Sequence, residues 1–148
     1  MSLSGSYNPD NIFAKILRGE IPACKVYEDE HILSFMDVFP QAPAHTLVIP
    51  KQGGRNLLDT DDAELIHVIK GVKRIAKAVE TAFSPDGIII TQFNGQSAGQ
   101  TVFHLHFHII PRFDNQPMDR HGRGKQADMQ VLRAQADKIA TALDTPAG

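Results

Sequence analysis

The chain has 148 residues, seven histidines, one cysteine and a formal net charge of −2. Its length suits one domain with a real core, and its composition is that of an ordinary globular protein. The charge balance provides no overall basic field for nucleic acid. The lone Cys24 excludes an intramolecular disulfide and a multi-cysteine zinc site, and no apolar run approaches membrane-spanning length.

Residues 1–10 are largely small and polar, without the basic and apolar regions of a signal peptide. They are expected to be flexible, in a cytoplasmic protein. Asn11 is placed to cap a short helix, Ile12–Arg18, with Phe13, Ile16 and Leu17 on one side and Gly19 as the stop. Short strands are predicted over Lys25–Tyr27, His31–Met36 and His45–Ile49. The first two are separated by the turn Glu28-Asp29-Glu30. Between the second and third lies the loop Asp37–Pro43, in which Pro40 and Pro43 bar regular pairing.

Asp61–Phe83 is the longest predicted helix. Asp61 with Glu64 resembles a capping box. Leu65, Ile69, Val72, Ala76, Val79 and Phe83 recur at spacings of four and three, giving one apolar stripe that should cover a sheet face. After Ser84-Pro85-Asp86-Gly87 come a fourth strand, Ile88–Phe93, and a fifth through the histidine-rich stretch Phe103–Ile110. Beyond Pro111, the polar run Gln116–Lys125 holds Arg120, His121, Arg123 and Lys125. Ala127–Leu143 has helical spacing, with Met129, Leu132, Ala136, Ile139 and Leu143 on one side, and the last residues should fray. The pattern predicts an α+β fold built on a five-stranded antiparallel sheet with one long helix, a short N-terminal helix and a C-terminal helix. Residues 11–113 form the domain, and 114–148 are a tail belonging to it.

In the fifth strand, Phe103, Leu105, Phe107 and Ile109 fall on one face at period two, and His104, His106 and His108 on the other. Neighbouring histidines on such a face stand roughly 6.5–7 Å apart. Imidazole near neutral pH serves as base, acid, nucleophile or metal ligand. The loop just upstream, Asn94–Thr101, carries Gly95 and Gly99, whose amides could approach a phosphate closely. Asp37 and His45, taken alone, fit a turn aspartate and a surface histidine as well as they fit a site.

Taken together, these residues resemble the histidine triad (HIT) family of nucleotide-binding proteins, in its bacterial Hint-like branch. The likeness runs from about Asn11 to Phe113. It includes Ile12-Phe13 with Ile16, Arg18-Gly19-Glu20-Ile21-Pro22, Phe35-Met36-Asp37, Pro40-Gln41-Ala42-Pro43-Ala44-His45, and Gly99-Gln100-Thr101-Val102-Phe103-His104-Leu105-His106-Phe107-His108-Ile109-Ile110. The resemblance implies a HIT-like fold, a homodimer, and hydrolysis of purine nucleoside monophosphate conjugates through a nucleotidyl-histidine on His106. It gives His108 contact with the phosphate and leaving group, and gives His104 and His45 orienting roles. It implies that Asp37 holds the ribose and that Asn94, Gly99, Gln100 and Thr101 attend the phosphate end. Ile12, Phe13, Ile16, Ile21, Phe35 and Val38 would enclose the base. Phosphoramidates are favoured as substrates, with dinucleoside polyphosphates or non-catalytic nucleotide binding as alternatives.

No cofactor is expected, and the scheme requires no metal. Some relatives carry a zinc-binding cysteine pair near the N-terminus, where this chain has Asn11-Ile12-Phe13-Ala14. A metal on the alternating histidines with His45 is the rival reading. It is made awkward by the roughly 13 Å between the backbones of residues 104 and 108.

Overall fold

A computed structural model describes residues 3–119 and 125–144. Five strands, β1 (Lys25–Glu28), β2 (Ile32–Met36), β3 (Thr46–Pro50), β4 (Gly87–Thr91) and β5 (Phe107–Arg112), form one antiparallel sheet. Their order across the sheet is β1-β2-β3-β5-β4. Three helices, α1 (Ile12–Leu17), α2 (Asp62–Phe83) and α3 (Met129–Leu143), complete the α+β fold.

Side chains alternate across the strands, and both faces are covered, so every residue of β2 and β3 is buried. On one face Ile32, Met36, Val48 and Ile109 pack with Val68, Val72, Ile75 and Val79 of α2 and Leu132, Ala136 and Ile139 of α3. Gly71 lets α2 sit close to the sheet, because a Cβ there would overlap the Ile32 Cδ1 methyl. On the opposite face Leu33, Phe35, Leu47 and Ile49 pack with Phe13 and Ile16 of α1. Asn11 caps α1 as expected, its Oδ1 accepting the Ala14 N–H at 2.9 Å. Because α1 is short, it leaves part of this second face open as a cavity.

Three expectations are corrected. The apolar stripe of α2 is rotated from the predicted one: its buried residues are Val68, Gly71, Val72, Ile75, Ala78 and Val79. Ile69 is exposed, as are Ile66 on the same helix and Ile89 and Ile90 on the edge strand β4. Asp61 occupies the N-cap position of α2 without a side-chain cap bond, and its carboxylate instead accepts from Gln52 Nε2 at 3.3 Å. The third correction concerns the histidine strand, which begins at Phe107, not Phe103. The β3–β5 register would bring Pro50 opposite Leu105, and Pro50 has no N–H to donate. The Leu105 amide bonds instead to the Gly54 carbonyl at 2.8 Å. His104 and His106 therefore sit in the lead-in to β5, and only His108 lies on the strand.

The N-terminal segment, expected to be flexible, makes specific contacts. The Leu3 and Ser6 carbonyls accept from the buried side chains of Asn56 at 2.9 Å and Arg55 at 3.2 Å. Arg120, His121, Arg123 and the four residues at the C-terminal end lie outside the described residues.

Candidate functional site

A cavity of about 530 Å³ opens on the α1 face of the sheet. Among the expected site residues, Ile12, Phe13, Ile16, Ile21, Phe35, Asp37, Val38, Thr101, His106 and His108 line it. Its wall also includes residues with no expected role in the site: Pro22, Ala23, Met36, Phe39, Leu47, Val102, Gln126 and Met129. The last two come from the tail, which folds back onto the Asp37–Pro43 loop. The Ala127 amide donates to the Val38 carbonyl at 2.9 Å, and the Gln41 and Asp119 backbones are joined at 2.7 Å. The wall is largely apolar; its polar members are Asp37, Thr101, His106, His108 and Gln126.

The hydrogen bonds of the four histidines fix their tautomers. The His45 Nδ1 accepts the Gln41 amide at 3.0 Å, so the His45 proton lies on Nε2. That nitrogen stands 2.9 Å from the His108 Nδ1 and donates to it, which places the His108 proton on its own Nε2. The His106 Nδ1 donates to the His104 carbonyl at 2.7 Å, leaving the lone pair on its Nε2. The His106 ring stands edge-on to Phe13 at 4.9 Å and to His108 at 5.0 Å between centroids. The arrangement pairs an imidazole able to attack with a neighbouring imidazole able to give a proton.

A strained turn helps to set His45. Ala44 takes a φ of 65°, a left-handed conformation that an alanine adopts at a cost of about 1–2 kcal/mol. His104 lies away from the cavity. Its Nε2 donates to the Pro50 carbonyl at 2.8 Å, and its Nδ1 faces the Tyr7 hydroxyl at 2.7 Å. Burial holds its imidazole below the usual histidine range, opposed only in part by the Pro50 carbonyl.

Asp37 follows β2 directly, with its Oδ1 accepting the Phe39 amide at 2.8 Å and its Oδ2 3.4 Å from His45 Nε2. Burial pushes its carboxyl up to about 6, and the Phe39 bond only partly offsets this. The folded pKa thus lies above that of the unfolded chain, which sheds its proton first. Stability therefore falls as the pH rises from about 4 through about 6 and stays lower above that range. Asp37→Asn keeps the acceptor for Phe39 and removes this cost. The variant is expected to be more stable than the parent by about 3 kcal/mol at pH 8 and close to it near pH 4. Urea denaturation at the two pH values checks this, and an offset independent of pH contradicts it.

The loop before the histidines is held by its own hydrogen bonds. Gly99 and Gln100 spend their amides on the Gln96 and Gly95 carbonyls. The Gln100 side chain is buried and fully engaged: Oε1 accepts the Gly95 amide at 2.8 Å, and Nε2 donates to the carbonyls of Arg55 and Val102. Asn94 accepts the Leu57 amide at 3.0 Å. These residues hold the loop in shape, and Thr101 is the one of them that reaches the cavity.

Asp37, His45 and His108 bring one ligand atom each to within 4.8 Å of one another. They do not suit a metal as arranged. Coordination through the His45 Nε2 would move its proton to Nδ1, where it would point at the Gln41 N–H. Cys24 is no nearer to serving, since it is buried in the α2–α3 core.

The HIT domain model matches residues 18–115. An uncharacterized HIT-like protein of Methanocaldococcus jannaschii is 44% identical over 124 residues, covering 82% of this chain and 95% of that one. A crystal structure of a Hit-like protein involved in cell-cycle regulation from Bartonella henselae is 51% identical, with a TM-score of 0.88, and the match covers 93% of this chain and 99% of that one. A hypothetical histidine triad nucleotide-binding protein from Sulfolobus tokodaii is 32% identical, with a TM-score of 0.82 and coverage of 89% and 91%.

Proposed function

The chain belongs to the HIT-domain family, the histidine triad proteins, and from this membership we propose a hydrolase that cleaves nucleoside 5′-monophosphate conjugates through a nucleotidyl-histidine on His106. The observation that carries this reading is the bond from His106 Nδ1 to the His104 carbonyl at 2.7 Å, on the wall of a largely apolar cavity. It commits one nitrogen and leaves the other as a nucleophile.

In the proposed reaction the His106 Nε2 attacks the α-phosphorus. The bond from phosphorus to the leaving group breaks, and the leaving atom takes the Nε2 proton of His108 in its imidazolium form, reached when His108 takes up one proton with the phosphate charge beside it. His108 then removes a proton from water, which attacks the same phosphorus. The phosphorus–Nε2 bond breaks, and His106 is regenerated. Asp37 accepts hydrogen bonds from the ribose hydroxyls, and the aliphatic and aromatic wall takes the base with little discrimination between purines. Rapid quenching of the protein with adenosine 5′-phosphoramidate, followed by intact mass measurement, tests this: a mass increase of one adenylyl group is expected. Nucleotide binding without adduct or turnover would make the protein a binding module instead.

The same proposal includes a homodimer. The exposed Ile66 and Ile69 of α2 and Ile89 and Ile90 of β4 give these elements apolar surface for a two-fold contact to bury, and β4 is an open edge. Light scattering at micromolar concentration is expected to report twice the chain mass. A monomer mass there would remove this part of the reading.

A further inference from the structure

We propose that Tyr7 is a positioning residue for the histidine pair: its hydroxyl fixes the His104 ring and, through the His104 carbonyl, the imidazole of His106. The inference rests on the nucleophilic role given to His106 above.

Tyr7 and His104 are 97 positions apart in the chain, and their polar atoms stand 2.7 Å apart. The direction of this bond follows from its neighbours. His104 Nε2 gives its proton to the Pro50 carbonyl, so Nδ1 is an acceptor and the hydroxyl donates to it. The Tyr7 oxygen in turn accepts from Asn11 Nδ2 at 3.0 Å. Asn11 is also the cap of α1, and α1 carries the Phe13 ring that stands edge-on to His106. One short network therefore reaches His106 from two sides, through the backbone at His104 and through the aromatic ring of α1. Tyr7 does not line the cavity, so it acts through these residues and not on a substrate.

The fold makes room for this tyrosine. A Cβ on Gly53 would lie 2.9 Å from the Tyr7 ring, closer than a real Cβ contact allows. Glycine at position 53 thus forms the seat of the ring. The segment is tied down before it, where Leu3 and Ser6 take the buried donors of Asn56 and Arg55. Gly95, at a φ of 91°, lies against the Leu3 side chain, where a Cβ would come within 3.2 Å of Cδ2.

Tyr7→Phe keeps the ring in its seat and removes only the hydroxyl. The full-length variant is expected to stay folded, with a melting temperature lowered by a few degrees for the lost hydrogen bond, and to retain the KM for adenosine 5′-phosphoramidate, while kcat falls about tenfold as the imidazole loses its alignment. Nitrogen-15 NMR of the histidine rings provides a readout that needs no turnover. The His104 Nδ1 resonance is expected to shift in the variant, and the His106 Nδ1 proton to exchange with water about tenfold faster. If the parent forms no adduct, the nucleophilic reading fails, and the exchange measurement still decides the role of Tyr7. Unchanged His106 exchange in Tyr7→Phe overturns the proposal, as does a fall in kcat matched by a loss of folded protein with exchange unaltered in the remainder.

Discussion

His106→Asn is expected to bind adenosine monophosphate within about threefold of the parent while kcat/KM falls by about a thousandfold or more. The amide is chosen because its Nδ2 can take over the bond to the His104 carbonyl, so the lead-in to β5 keeps its anchor. What it lacks is a basic nitrogen with a lone pair to attack phosphorus. His106 is also buried against Phe13, and a side chain of this size leaves little void. Titration calorimetry measures the binding, and the quench experiment should yield no adenylyl adduct. Turnover near that of the parent would remove His106 from the mechanism.

Cleavage of adenosine 5′-phosphoramidate is expected to exceed that of diadenosine polyphosphates by about a hundredfold in kcat/KM. A chain of phosphates needs cations placed to meet it, and a missing charge-assisted hydrogen bond costs about 1.5–3 kcal/mol, or roughly ten- to a hundredfold. Among the described residues, no arginine or lysine lines the cavity. Arg112, which follows the histidines closely in sequence, donates from its Nη2 to the Gln116 carbonyl at 2.9 Å. Lys51 pairs with Glu28 at 2.9 Å. A phosphoramidate needs only one phosphate held and one nitrogen protonated, and the His108 Nε2 proton meets that demand. Competition between the two substrates in one reaction measures the ratio directly, and a preference for the polyphosphate would assign the leaving group to the basic run after Pro117.

The histidines were legible because three of them recur at strict alternation, a pattern that few structural demands produce. The strand drawn through them was four residues too long at its start, since the obstacle, Pro50, lies on the partner strand and is remote in sequence. The apolar residues of α1 and β2 that line the cavity were reachable through the family likeness. Gln126 and Met129 were not, because their place depends on the tail returning to the loop after β2. The stripe on α2 misled for a different reason. The helix has more apolar residues than one face can bury, and sequence spacing alone does not say which set meets the sheet. Tyr7 gave no signal at all, since a lone aromatic in a polar segment acquires meaning only from Gly53 and His104.

The strand order carries a consequence for how the chain is made. β1, β2 and β3 are contiguous in sequence and adjacent in space, so they can pair as they leave the ribosome. β4 emerges before β5, yet among the described residues β5 is its only ladder partner. Until Phe107–Arg112 arrives, the nascent chain carries Ile88-Ile89-Ile90 as an unpaired, uncharged segment of high strand propensity. Arrival of the histidine strand thus closes the sheet and ends the interval in which that segment is exposed, so delaying the emergence of Phe107–Arg112 from the ribosome once Thr91 is out should favour inclusion bodies over delays elsewhere.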